Sequence, residues 1–167
     1  MAEKRIPDPT LMARLQLSVK GIDWASSLVA HRQHEQPNGQ WSAHQHLFHL
    51  LQVETQVYQP RIQQMLAQSE PATFANWDEA EHMADEYHTS GDLAGMADRV
   101  IAEREKSVGL LKNIAPQQWR TRAHWPAGEV DLAWVAERMV AHSLEHFAML
   151  LNLHQELEHF QADAWFA

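Results

Sequence analysis

Apolar residues recur three and four positions apart along four stretches of the chain, and each stretch predicts a helix with one buried face. In the first, Leu11, Leu15, Val19, Ile22 and Val29, with Ser26 in step, follow Asp8-Pro9, which reads as N-cap and first helical residue. Gln36-Pro37-Asn38-Gly39 is a turn cluster that stops it. Ser42 with Gln45 three residues later forms a capping-box pattern, and Leu47, Phe48, Leu50, Leu51, Val53, Val57 and Ile62 follow. Pro60 lies inside this second stretch, where its missing N–H predicts a kink or an end.

Residues 69–91 are polar and mixed and read as a long connection, with a short helix expected from Asp78 to Tyr87. A third helix starts at Asp92 with Leu93, Met96, Val100, Val108, Leu111 and Ile114 on one face, and Arg104 falls on that same face. Asn113 to Gly128, with Pro116 and Pro126, reads as a second connection. The last helix is expected from Asp131 to about Glu156, with Trp165 and Phe166 in a tail beyond it. No alternating pattern predicts a strand, so the fold class is all-α, a four-helix bundle.

At 167 residues the chain reads as one domain, long enough to bury a core without covalent staples. Thirteen basic against 22 acidic residues give a net charge of −9 without a basic patch, which argues against a nucleic-acid partner. Met1 to Thr10 carries charges and two prolines instead of a signal peptide's apolar run, and no segment has the apolar length of a membrane span. A cytoplasmic protein without a membrane partner is expected. Cysteine is absent, so any metal must sit on nitrogen and oxygen ligands.

The chemistry lies in the 12 histidines. On the last helix Val135, Met139, His142, His146, Met149 and Leu153 form one stripe, which its apolar members predict to face the core. Two imidazoles four residues apart on such a stripe need hydrogen-bond partners, water or a shared cation, since an unpartnered buried polar group costs about 1–3 kcal/mol. The second helix offers His44, His46 and His49, and His49 sits deepest in its apolar run. His49 with His142 and His146 would make a three-nitrogen site with one position left for water or substrate. A fourth protein ligand, His46 or Glu145, would close it into a structural site, and a metal-free polar network is the remaining reading.

Trp41-Ser42 with His49 downstream, the run Gly128-Glu129-Val130-Asp131-Leu132, the segment His142-Ser143-Leu144-Glu145-His146, and Arg104 on the third helix together resemble the DinB/YfiT-like superfamily of four-helix-bundle metalloenzymes. The resemblance runs from the first helix to about Leu153. It implies a divalent metal ion (nickel, zinc or iron) held by His49, His142 and His146, and a thiol S-transferase or isomerase reaction on a small-molecule substrate with a low-molecular-weight thiol. It also implies a homodimer. Ser143 departs from the acidic residue that many relatives carry after the first histidine of the pair. A metal-dependent hydrolase and a non-catalytic metal-binding stress-response module are the alternatives.

His142-Ser143-Leu144-Glu145-His146 also spells the H-x-x-E-H pattern of inverted zinc peptidases. That class takes a further glutamate ligand from a larger fold, so the peptidase reading is set aside. Glu145 remains the candidate catalytic residue, as a proton carrier beside the ligands, against the plainer role of a solvated helix charge. Arg104 is expected to form a structural ion pair with a buried acid. His31, His34, His82, His88 and His124 are expected at the surface, and Met139 and Met149 in the core.

Overall fold

Ser42 opens the second helix as its pattern predicts: its side chain accepts from the Gln45 backbone N–H while Gln45 reaches back to the Ser42 backbone. The computed structural model describes residues 8–166, and the stretch before Asp8 that was read against a signal peptide lies outside them. Among the described residues six α-helices run Leu11–Ser27 (α1), Ala43–Gln52 (α2), Gln59–Ala67 (α3), Glu79–Glu86 (α4), Leu93–Leu111 (α5) and Leu132–Phe166 (α6). A wide π-type turn, Val53–Tyr58, joins α2 to α3 end to end. The α2–α3 rod, α1, α5 and α6 form the four-helix bundle, with α1 packed on α5 and α6 and α2 packed on α5 and α6. Among the described residues no helix is long and apolar enough to cross a membrane.

Pro60 neither breaks nor ends this rod. The turn before it is widened, so that the Gln59 amide bonds back five residues to the Glu54 carbonyl, and Pro60 falls in the first turn of α3, a position that tolerates proline. The start of α1 also differs from expectation. Asp8 stands ahead of the helix in a tight turn, its carboxylate accepting from the Thr10 backbone and hydroxyl, and α1 begins at Leu11. Asp131 is the residue before α6, accepting the Trp134 amide at 2.8 Å, and the helix continues past Glu156 to Phe166.

The expectation of no strands is overturned. Ala72–Thr73 (β1) pairs in parallel with Arg122–Trp125 (β2), and β2 pairs antiparallel with Gly128–Asp131 (β3), Trp125 facing Gly128 across the turn. Gly128 takes φ 118°, a conformation that favours glycine. These strands are too short, and bury too few alternate residues, to show a period of two. The Arg61 guanidinium lies 4.3 Å from the Trp125 ring centroid and 5.1 Å from that of Phe74, clamping the sheet to α3.

The core is two apolar clusters with a polar layer between them. One cluster gathers Leu11, Leu15, Val57, Ile62, Val108, Leu111, Val135 and Met139, and the other Val19, Ile22, Leu47, Leu50, Met96, Val100, Leu150 and Leu153. Along each helix the layer falls at or close to the crossing from one cluster to the other: Ser18 on α1, Glu54 on the second rod with His49 just before the crossing, Arg104 and Ser107 on α5, and His142, Ser143 and His146 on α6.

Half of that layer is an ion pair. Arg104 bonds both Glu54 carboxylate oxygens at 3.0–3.1 Å and also donates to the Leu15 carbonyl, Ser18 and Ser143. Ser107 donates to Glu54. Both charges are almost fully buried. Ser143 accepts an N–H from Arg104 and donates its own hydroxyl to the Met139 carbonyl.

Candidate metal centre

The other half of the layer is a group of imidazoles held between α2 and α6. The i, i+4 spacing on α6 sets His142 and His146 side by side, and the second rod brings His49 against them. His49 Nε2 lies 3.2 Å from His142 Nε2, which lies 3.1 Å from His146 Nε2. One ligand nitrogen from each of the three rings falls within 4.8 Å of the others. Two imidazole nitrogens can share one proton, but His142 Nε2 meets two partners at once and can serve only one of them as donor. A divalent ion bonded to nitrogen at 2.0–2.1 Å in tetrahedral geometry sets its ligand atoms about 3.3 Å apart, so the cluster fits such an ion with little movement.

The donors are ready in the form that a cation needs. Burial lowers every ring from the ordinary 6.5: His49 to about 2, His46 and His142 to about 3, and His146 to about 4. Neighbouring imidazoles lower His49 further, and for His146 the Glu145 carboxylate works in the opposite direction. All four are neutral at pH 7. The surroundings are aromatic: the Trp41 centroid lies 5.3 Å from His49 and 5.5 Å from His46, and that of Trp77 lies 6.0 Å from His49.

The downward direction of all four shifts sets the sign of the pH response expected of the metal-free protein. Each ring regains its ordinary pKa on unfolding, so the unfolded chain binds more protons below 6.5, and stability falls as pH drops from there towards the folded values of about 2–4. The slope is up to about 1.4 kcal/mol per pH unit for each ring. Urea midpoints measured with a chelator present should therefore be level above pH 7 and decline steeply between pH 6.5 and 4.5. A midpoint unchanged across that window would contradict a neutral buried cluster.

Two cavities meet at the cluster. The larger, about 500 Å³, is lined by Trp41, His46, His142 and His146 together with Glu79, Arg138, Glu145 and Met149. The smaller, about 310 Å³, reaches His49 and His142 past Tyr58, Trp77 and Trp134. Glu79, Arg138 and His142 belong to both. Glu145 lies at the mouth of the larger, its carboxylate held by Arg138 at 2.6 Å.

Several residues stand apart from where their pattern puts them. Met149 is 48% exposed and forms cavity wall, whereas Met139 is fully buried. The α6 stripe opens only at this position, for Leu153 one turn further on is buried again. His82 is not at the surface: its side chain is 9% exposed and its ring lies 4.6 Å from that of Trp77. His31, His34, His88 and His124 are exposed. His44 is buried and bonds the Tyr87 hydroxyl through Nδ1, away from the cluster. His46 joins the site from behind, its Nδ1 2.9 Å from His146 Nδ1. Arg138 and Glu79 had no distinguishing signal, although Arg138 stands one helical turn before His142.

The family model of the DinB superfamily matches residues 14–150. The chain belongs to the DinB superfamily. A solved structure of YfiT from Bacillus subtilis, described as a probable metal-dependent hydrolase with an unusual four-helix bundle topology, superposes with a TM-score of 0.78. The match covers 89% of this chain and 86% of that one at 20% identity, and it shows the shared fold. No curated protein sequence matches the chain. The fold and family expected from the sequence are therefore both found.

Proposed function

We propose that this DinB-superfamily chain is a metal-dependent enzyme whose divalent ion (nickel, zinc or iron) is held by His49, His142 and His146. The observation that carries the reading is the coincidence of three converging neutral nitrogens with a cavity of about 500 Å³ beside two of them. A divalent ion supplies Lewis acidity there, polarising an electrophile or lowering the pKa of a thiol or water that reaches it. The chain's own residues do the rest. Trp41 and Met149 offer apolar wall to a small substrate, and Glu145, which lines the same cavity with its carboxylate steadied by Arg138, takes up the proton of the incoming nucleophile. An external low-molecular-weight thiol is the favoured nucleophile, since the cavity is far larger than a water needs and the chain has no cysteine.

Hydrolysis is the second reading, favoured by the description of YfiT. Against a purely structural ion stands the engagement of the two candidate fourth ligands elsewhere, His46 with the far side of His146 and Glu145 with Arg138.

The test uses zinc-loaded protein purified without a histidine tag. It is given an activated aryl chloride with added cysteine and, separately, an activated ester with no thiol. Thiol arylation above the uncatalysed rate, lost on metal removal, supports the transferase; thiol-independent ester cleavage lost on metal removal means the hydrolase. With whichever substrate turns over, Glu145→Gln should lower kcat by about 10²–10⁴-fold and leave zinc affinity within a few-fold. An unchanged kcat would reduce Glu145 to a surface charge.

A further inference from the structure

We infer that His46 is a positioning residue that accepts the Nδ1–H of His146 and so leaves the Nε2 lone pair of that ring free for the ion. This rests on the metal-site reading and assigns a role to a ring outside the ligand set. His146 is engaged at both nitrogens: Nε2 lies 3.1 Å from His142 Nε2, and Nδ1 lies 2.9 Å from His46 Nδ1. Two neutral imidazole nitrogens at that distance share one proton, so one ring donates and the other accepts.

The direction matters. If His46 donates from Nδ1, the single proton of His146 is left on Nε2, where it blocks a cation. If His46 accepts, the His146 proton sits on Nδ1 and its Nε2 lone pair is free, while the proton of His46 moves to its own Nε2. Metal-ligating histidines usually obtain this orientation from a carboxylate, a backbone carbonyl or water. Here an imidazole takes that place. It is buried to 6% exposure, and its ring stands edge-on to His146 at a centroid distance of 5.1 Å. His49 has no such brace, because its Nδ1 is buried without a hydrogen-bond partner. Of these two ligands, His146 is the one with a partner behind it.

Zinc affinity, measured by chelator competition on the tag-free full chain, separates the roles. His46→Leu removes the acceptor and should weaken zinc binding 10–100-fold. His46→Asn keeps an oxygen acceptor near the position of Nδ1 and should restore the affinity to within about threefold of wild type. Nitrogen-15 spectra of the zinc-loaded wild type, which need no variant to fold, should show His46 protonated at Nε2 and His146 at Nδ1. His46→Leu binding as tightly as wild type, His46→Asn binding no better than His46→Leu, or His46 protonated at Nδ1 would each overturn the inference. Failure of the wild type itself to bind zinc would instead remove the metal reading, and this role with it.

Discussion

His142→Ala, in protein purified without a metal-binding tag, is expected to lose at least about a hundredfold in zinc affinity, with His49→Ala and His146→Ala close behind. The expectation exceeds the 10–100-fold cost of losing a supporting residue because each of these changes deletes a donor nitrogen outright. His142 should be the worst of the three, since its Nε2 stands within 3.2 Å of both others and joins the two helices across the site. Folding should survive, because deleting one of several crowded neutral rings also removes a buried polar group. Chelator competition with circular dichroism as a control reads both quantities. Full retention of zinc by His49→Ala would mean that α2 contributes a different ring, His46 being next in position.

Arg104→Ala should have the largest effect on stability, about 3–5 kcal/mol, because it strands the Glu54 carboxylate at 2% exposure with no cation. Five donors of one guanidinium serve Glu54, Ser18, Ser143 and the Leu15 carbonyl, so the loss spreads over three helices. The companion change, Arg104→Met with Glu54→Gln, removes both charges and should recover much of the loss. Urea unfolding of the three proteins checks this. A single-mutant loss below about 1 kcal/mol would show that the pair is hydrated.

What could be read in advance follows from which forces leave a period in the chain. Burial of one helix face repeats every three to four residues, so the bundle, the capping box at Ser42 and the inward position of His142 and His146 were legible. The contacts of His49 with them followed from its depth in an apolar run. The strands were not legible, since segments of two and four residues, with Pro126 between the second and third and Gly128 opening the third, look like loop. The π turn left no sign except the proline that it accommodates.

Arg104 was legible as one partner of an ion pair, but Glu54 was not singled out, even though a carboxylate between Val53 and Val57 on a buried face was the signal to follow. His46 was named as one of three histidines within six positions of α2 and as a candidate fourth ligand, but not as a partner of His146. Which ring meets which depends on side-chain direction across the α2–α6 contact, and spacing along one helix carries no information about that.

X-ray absorption at the zinc edge of the loaded, tag-free wild type tests the central claim most directly. Three imidazole nitrogens at about 2.0–2.1 Å, with one further light ligand not supplied by the protein, is the expected shell. A shell with two or fewer imidazoles, or one closed by four protein ligands, would contradict an open three-histidine centre.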